Sequence, residues 1–243
     1  TRLVGSEMCI RDRNNEEEKV KFYSALYNAH FLPRTFSDVD GSYPKFDGGG
    51  QIMKMDHGTY YCDFSQWDTY RAVHPLFSIL NPSRNGDMAH SLVLKGQQGG
   101  WLPIFPSWNS YTAAMIGDHC IAMIGDAIIK DVPGFDYEEA YTLMRKNAFE
   151  ANPDSGSYRD GKGRRAMESY LKYNYVPLED QVMEAFHRRE QVSRTLEYAY
   201  DDYCIATMAE KMGKKDIADE FYKRAQNYRN VYNPVSYTHL TLP

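Results

Sequence analysis

The stretch from Cys62 to Leu80 reads CDFSQWDTYRAVHPLFSIL and joins a polar loop to an apolar run. Asp68 occupies the position of a helix N-cap, and the residues from Thr69 onward follow the period of a helix. The sequence therefore predicts a helix from Thr69 to Leu80, entered through a polar loop.

The loop at the start of this helix concentrates groups that bind carbohydrate. Trp67 precedes Asp68, and Arg71 follows three residues later. A carboxylate and a guanidinium hold ring hydroxyls through charge-assisted hydrogen bonds, while an indole covers the apolar face of a sugar ring. The alternative is that Asp68 only caps its helix and Trp67 only packs. The local sequence on its own favours this alternative.

The composition is that of one large globular domain. The chain has 243 residues, of which 42% are hydrophobic, and a net charge of −5. This length is enough to bury a substantial core. There is no basic stripe and the sequence pI is about 5.8, so nucleic acid is not an expected partner. No apolar run approaches the roughly 18 residues of a membrane span.

The cysteine spacing matches no zinc or redox motif. Cys120 and Cys204 fall on apolar helix positions and are predicted to be buried, unreactive thiols. The four cysteines, which are Cys9, Cys62, Cys120 and Cys204, therefore predict no disulfide framework.

Both ends of the chain resemble translated adapter sequence rather than part of a fold. Residues 1–13 have neither the apolar region nor the cleavage site of a signal peptide. We expect residues 1–13 and 235–243 to be non-native tails that do not pack on the domain. Residues 14–234 are then one internal portion of a longer protein.

Apolar and charged helices alternate between these ends. A helix that is apolar all round belongs in a core, whereas a charged face marks an outer helix. The inner helices are predicted over residues 113–129 and 193–212, and the outer ones over 137–151 and 214–229. Such pairs predict an all-α fold, a partial (α/α)6 toroid of about half the full barrel. An α-solenoid is the rival, but its repeats recur at a fixed period, and these helix pairs are unevenly spaced.

Long segments of the chain resemble the catalytic domain of the glycoside hydrolase family 92 α-mannosidases. They follow the family's order and approximate spacing, and the resemblance extends over about residues 17–234. The segments are KFYSALYNAHFLPRTFSDVDGSYPKFDG (Lys21–Gly48), DFSQWDTYRAVHPL (Asp63–Leu76), YTAAMIGDH (Tyr111–His119), FDYEEAY (Phe135–Tyr141) and VSRTLEYAYDDYCIATMAEKMG (Val192–Gly213).

This resemblance implies a fragment of an inverting, calcium-dependent exo-α-mannosidase that removes terminal mannose from glycans. An inverting enzyme pairs a carboxylic acid at the leaving oxygen with a carboxylate that activates water. Calcium prefers hard oxygen ligands such as mannose hydroxyls. The resemblance also implies a secreted or periplasmic protein. The alternative function is a non-enzymatic helical-repeat or glycan-binding module.

The resemblance makes Asp68 the residue expected to hold the hydroxyls of the terminal mannose. Trp67 would support it by packing and Arg71 by pairing, with a salt bridge that merely orders Asp68 as an equal alternative for Arg71. The full predicted substrate-binding set is Asp68, Trp67, Arg71, Asp118, Glu197 and Asp201.

The remaining acids of this set lie at two other predicted helix entrances. Asp118 is expected within an apolar helix, where a buried carboxylate needs a partner, and Arg71 or His119 would supply it. Glu197 and Asp201 are four residues apart and share a helix face. Asp202, on another face, is interpreted as structural.

The family's catalytic segments do not occur in this sequence. Its acid lies in an EGNAWQY-like segment, its base in a later acidic, glycine-rich segment, and its metal ligands in a GNEPSHH-like segment. No catalytic residue and no metal ligand is therefore assigned here, and the catalytic residues are expected downstream of Pro234. We expect the isolated chain to be inactive and to expose an apolar face formed by residues 113–129 and 193–212.

Overall fold

The structure is a computed structural model that describes residues 15–154, 156, 159–180 and 187–232. The proposed tails, residues 1–13 and 235–243, lie outside these ranges and stay a prediction, as does Cys9. The α-helices are α1 (Glu16–Ala29), α2 (Gln66–Thr69), α3 (Val73–Leu80), α4 (Pro82–Gly99), α5 (Cys120–Ile129), α6 (Tyr137–Phe149), α7 (Met167–Tyr173), α8 (Gln191–Lys211) and α9 (Lys215–Arg224). A 3-10 helix over Ala225–Val231 follows α9.

Two small antiparallel sheets lie in the connection between α1 and α2. The strands are β1 (Arg34–Thr35), β2 (Ser42–Pro44), β3 (Ile52–Lys54) and β4 (Tyr61–Cys62). Strand β1 pairs with β4, and β2 pairs with β3. These strands are too short to form a layer of their own, so the described chain is predominantly helical. The predicted all-α class is confirmed.

The core is built on α5 and α8, which were predicted as inner helices. Side chains of both helices are completely buried, among them Ile121, Ile124, Ile205 and Met208. Helix α9 packs against α8 and buries Phe221. Cys120 and Cys204 are buried free thiols, as predicted, and burial raises the pKa of each.

The helix predicted over residues 113–129 begins later than expected. Met115 and Gly117 have φ values of 64° and 80°, which lie in the left-handed region and cannot continue a helix. Helix α5 therefore starts at Cys120. Asp118 and His119 consequently lie at its entrance rather than within it. The prediction of a helical position for them was wrong, whereas the predicted burial of Asp118 is confirmed.

The helix predicted from Thr69 to Leu80 is interrupted. Helix α2 ends at Thr69, and α3 starts only at Val73. Pro75 explains the break, because a proline clashes with the carbonyl four residues earlier unless it lies in the first turn of a helix. Restarting at Val73 places Pro75 in that first turn.

The described residues leave two apolar surfaces exposed. Helix α1 has no buried residue, and its Tyr23 and Tyr27 face solvent. A groove of about 540 Å³ lies between α5 and α8, lined partly by Ile129, Tyr200 and Tyr203. This groove lies on the two helices that were predicted to form an exposed apolar face. No helix in the described ranges has both the length and the apolar character needed to cross a membrane.

Gly86 allows α4 to approach the loop after α5. A Cβ atom at this position would collide with the carbonyl oxygen of Pro133. The backbone of α4 and the backbone of the loop cannot move apart without shifting the whole helix or the whole loop. Only glycine therefore fits at position 86. Gly125 differs, because a Cβ there would meet Cys204 O at 3.5 Å, an ordinary van der Waals contact.

We expect Gly86→Ala and Gly125→Ala to change the free energy of unfolding in opposite directions. Alanine in a helix interior is favoured over glycine by up to about 1 kcal/mol, which Gly125→Ala gains. Gly86→Ala loses roughly 1–3 kcal/mol because the helix and the loop must separate. Urea unfolding of both variants measures this difference. A stabilised Gly86→Ala variant would show that α4 and the loop are not in contact.

Candidate functional site

The N-cap of helix α2 is Ser65 rather than Asp68. Ser65 holds the N-cap position, and its hydroxyl donates to Asp68 Oδ2 at 2.6 Å. Asp68 therefore lies in the first helical turn, where its negative charge suits the helix dipole. Its side chain is exposed. The prediction that Asp68 is the N-cap was wrong, because Ser65 occupies that position three residues earlier.

Trp67 and Arg71 converge on Glu197, which α8 carries. Trp67 Nε1 donates to Glu197 Oε1 at 3.2 Å. Arg71 Nη2 lies 3.9 Å from the same oxygen, and its guanidinium carbon lies 4.6 Å from the Trp67 ring centroid. Arg71 thus stacks on the indole and faces Glu197. Among the described residues, Arg71 forms its ion pair with Glu197 and not the salt bridge predicted with Asp68.

His119 links Glu197 to Asp201 one turn along α8. His119 Nδ1 lies 2.9 Å from Asp201 Oδ1. His119 Nε2 lies 3.1 Å from Glu197 Oε2, but off the direction of a good hydrogen bond. Tyr70 stacks on the imidazole with ring centroids 4.2 Å apart. The buried imidazole is thereby fixed between two carboxylates and an aromatic ring.

Gly117 makes room for this imidazole. Its φ of +80° favours glycine, and a Cβ there would lie 2.5 Å from His119 Nε2. The turn before α5 is thus shaped around the histidine ring.

The two carboxylates favour a charged His119. Burial alone would lower the pKa of His119, but Asp201 and Glu197 raise it to about 9. Burial likewise favours the neutral form of Glu197, yet the close imidazolium of His119, with the Trp67 N–H and Arg71, lowers its pKa. Imidazolium and carboxylate therefore stabilise each other, and Glu197 is ionised at neutral pH.

Asp118 points away from this rim into the core. Its backbone N–H donates to Asp201 Oδ2 at 2.7 Å, which fixes the second oxygen of that carboxylate. Its own carboxylate accepts from Arg164 Nε at 3.2 Å and from Asn147. Burial raises the pKa of Asp118, Arg164 opposes that rise, and Asp201 adds to it.

The predicted partners of Asp118, Arg71 and His119, were therefore wrong. Its cationic partner is Arg164, which comes from the irregular segment before α7. The side chain of Asp118 is completely buried, as is that of Asp201, so both lie beneath Trp67, Asp68, Arg71 and Glu197.

Arg164 also binds Asp202 and so joins α8 to the same network. Arg164 Nη1 lies 2.7 Å from Asp202 Oδ1, and both side chains are completely buried. Asp202 additionally accepts from Tyr170 at 2.9 Å and from Arg224 Nε at 3.1 Å. The structural role predicted for Asp202 agrees with these contacts.

Sequence reasoning missed Arg164, Arg224 and Asn147. The available signal was a deficit of charge, since Asp118, Asp201 and Asp202 fall on predicted apolar helices that hold fewer cations than acids. It indicated that distant cations must be buried with them. It did not indicate which of the chain's arginines would serve.

The predicted set is thus only partly brought together. Trp67 and Arg71 both face Glu197, and His119 links Glu197 to Asp201. The backbone of Asp118 contacts Asp201. Asp68 is adjacent to Trp67 in sequence, but its side chain accepts a hydrogen bond from Ser65. The exposed rim combines an indole, a guanidinium and a carboxylate, which are groups that bind sugars through stacking and charge-assisted hydrogen bonds.

The residues of this site do not fit a calcium ion. Calcium takes six to eight oxygen ligands. Here Asp201 and Glu197 face His119, while Asp118 and Asp202 face Arg164, so cations already occupy the carboxylates. Elsewhere among the described residues, possible metal ligands lie close together at Asp56, His57 and His90. Two of these three ligands are nitrogen donors.

Comparison with known proteins identifies the family of the chain. Residues 6–240 match the glycosyl hydrolase family 92 catalytic domain. A family 92 α-mannosidase from Bacteroides thetaiotaomicron, solved in complex with mannoimidazole, is 36% identical with a TM-score of 0.77, over 90% of this chain and 26% of that one. A family 92 inverting mannosidase from the same species is 35% identical with a TM-score of 0.75, over 88% of this chain and 27% of that one.

A curated fungal protein is also similar. An uncharacterized secreted glycosidase of Arthroderma benhamiae is 26% identical over 165 residues, which are 67% of this chain and 20% of that protein. The chain therefore spans about a quarter of the two solved relatives and a fifth of the fungal one.

These matches define the helical pairs as a partial (α/α)6 toroid, as predicted. The chain belongs to glycosyl hydrolase family 92 and forms part of its catalytic domain.

His119 is expected to make stability fall as pH rises. Its folded-state pKa of about 9 lies above the ordinary value of 6.5. Its contribution is therefore complete below pH 6.5 and is lost as pH rises through 9, by at most roughly 3 kcal/mol. Urea unfolding at intervals from pH 6 to pH 9.5 measures it.

His119→Gln is the matched control for this titration, because it removes the imidazolium. The difference in unfolding free energy between wild type and His119→Gln should be largest at pH 6 and should shrink toward pH 9.5. A difference that does not change with pH would mean that His119 is neutral in the folded protein.

Proposed function

We propose that the chain is a substrate-holding portion of an inverting, calcium-dependent exo-α-mannosidase that removes terminal α-linked mannose from glycans. The observation that carries the proposal is 36% identity to a family 92 α-mannosidase over 90% of this chain. The relative solved as an inverting mannosidase supports the stereochemical part. The described residues offer no oxygen set for calcium in this site, so the ion would depend on residues beyond it.

The rim of Trp67, Arg71, Asp68 and Glu197 is proposed to hold the terminal mannose. Trp67 offers an apolar ring, Arg71 offers donors, and the two carboxylates offer acceptors for hydroxyls. Asp201 would act through His119, whose position it fixes. Asp118 would act one step further away, through its backbone contact to Asp201.

The electrostatics support a substrate-holding role rather than the chemical step. An inverting general acid needs a raised pKa and access to the leaving oxygen. Glu197 is partly exposed, but its pKa is lowered, so it is ionised. Asp118 has a raised pKa, but its side chain is completely buried and cannot reach a sugar. We therefore propose that the catalytic acid and base lie downstream of Pro234.

A secreted or periplasmic location is part of the same proposal. It is supported by the fungal relative described as a secreted glycosidase.

The purified 243-residue chain is expected to release no mannose from an aryl α-mannoside. The assay is run with calcium and with a chelator, next to a complete family 92 α-mannosidase as a positive control. Calcium-dependent turnover by the chain alone would contradict the proposal. It would mean that an acid and a base exist among its own carboxylates.

Asp68→Asn tests the sugar-holding role in a coding sequence extended past Pro234. Asparagine can still accept the Ser65 hydrogen bond, so the helix start is preserved. Loss of one charge-assisted hydrogen bond of about 1.5–3 kcal/mol lowers kcat/KM on an aryl α-mannoside by roughly 10- to 100-fold.

Asp131→Asn is the matched control, because Asp131 is an exposed acid paired with Lys211. It should leave kcat/KM unchanged. Mannose release that is equal in Asp68→Asn and wild type would remove Asp68 from the substrate site. An extended protein that binds mannosides but never hydrolyses them would instead favour the glycan-binding module.

A further inference from the structure

A second cluster of ligating side chains lies away from the sugar-holding rim. Asp56 and His57 lie in the loop after β3, and His90 lies in the middle of α4. One ring nitrogen of each histidine and one carboxylate oxygen of Asp56 lie within 4.8 Å of one another. Neither the family resemblance nor the proposed mannosidase site uses these three residues.

The hydrogen bonding of His57 calls for a positive charge between it and Asp56. His57 Nε2 lies 3.0 Å from the carbonyl oxygen of Gly134. A carbonyl oxygen only accepts, so Nε2 must carry the hydrogen. In a neutral ring Nδ1 then bears a lone pair, and it lies 3.0 Å from Asp56 Oδ1. Two acceptors at this distance repel each other unless a proton or a metal ion lies between them.

The backbone contact also matches the usual support of a metal-bound histidine. Histidine ligands commonly donate their second ring N–H to a carbonyl or carboxylate, which fixes the tautomer and orients the ring. The Gly134 carbonyl does this for His57 and leaves Nδ1 free to coordinate.

His90 adds a buried nitrogen without a partner. Its side chain is about nine-tenths buried, and among the described residues Nδ1 has no hydrogen-bond partner. The His90 ring stacks on His57, with ring centroids 4.6 Å apart. A buried ring nitrogen of this kind is unfavourable in an empty site and becomes satisfied when it ligates an ion.

The loop that carries Asp56 and His57 is held against α4 beside His90. Thr59 N donates to Asp87 Oδ2 at 3.1 Å, and Asp87 lies one turn before His90 on α4. Gly58 has no side chain to obstruct this contact, since a Cβ there would collide with the Asp87 carboxylate. The three candidate ligands therefore come from two elements that are already fastened together.

We propose that Asp56, His57 and His90 bind a divalent transition-metal ion, with Zn²⁺ the best fit. Two imidazole nitrogens and one carboxylate oxygen are the donors zinc accepts, with water at the fourth position. Tetrahedral zinc places neighbouring donors roughly 3.3 Å apart, close to the present separation of Asp56 and His57. Both of those side chains are exposed, so this side of the site can adjust to an ion without disturbing the core. The nitrogen donors distinguish this site from a calcium site.

Metal titration of the full 243-residue chain tests the proposal. Chelator-treated protein is titrated with Zn²⁺ by calorimetry and with Co²⁺ by visible absorption, since four-coordinate Co²⁺ gives intense d–d bands. We expect one saturable site per chain and a thermal stability that rises with Zn²⁺ concentration.

Variants at the exposed positions assign the site without disturbing the core. Asp56→Asn and His57→Ala should each weaken Zn²⁺ affinity by at least about tenfold, as the loss of ligand support typically does. His187→Ala, which alters another histidine far along the sequence, is the matched control and should bind as wild type does. His90→Gln should also lose the Co²⁺ bands, with its circular dichroism spectrum checked against that of wild type.

The proposal is overturned by either of two results. One is the absence of saturable Zn²⁺ and Co²⁺ binding by the wild-type chain. The other is binding that survives both His57→Ala and Asp56→Asn unchanged. In either case a proton takes the place of the metal, and His57 and Asp56 form a simple surface ion pair.

Discussion

One guanidinium holds together the parts of the molecule that carry the site. Arg164 is completely buried and contacts Asp118, before α5, and Asp202, on α8. Burying charges is costly, and the cost is recovered only when each is paired and hydrogen-bonded. Asp202 meets this condition with further bonds from Tyr170 and Arg224. Removing one partner from such a network typically costs about 3–5 kcal/mol, so these elements hold a fixed relative position.

The buried network positions the exposed rim through a series of contacts. The backbone at Asp118 holds one oxygen of Asp201, and the other oxygen holds His119. The imidazolium of His119 then faces Glu197, which receives the indole N–H of Trp67. Glu197 and Trp67 are thereby restrained by the residues beneath them. Groups restrained in this way lose little conformational freedom when a ligand binds, which favours affinity and correct orientation.

The sequence predicted the helices better than it predicted their ends and partners. Periodicity identified α5 and α8 as inner helices because burial imposes an apolar pattern on every face. It could not reveal that Pro75 divides one predicted helix or that the left-handed turn at Gly117 moves the start of another. Local backbone geometry overrides the apolar pattern at both places. The partner of Asp118 was missed because Arg164 is 46 residues away in an irregular segment. A charge deficit predicts that a distant cation is needed without identifying it.

The long separation between these charges has a consequence for biosynthesis. A ribosome releases the α5 segment well before Arg164, and Arg164 before Asp202. During that interval the nascent chain holds a strongly apolar helix whose entrance acid lacks its eventual cation. The entrance of α5 therefore gains its final packing only after Arg164 and α8 emerge. Premature collapse around an uncompensated acid is disfavoured, so the network delays burial until the correct helix arrives.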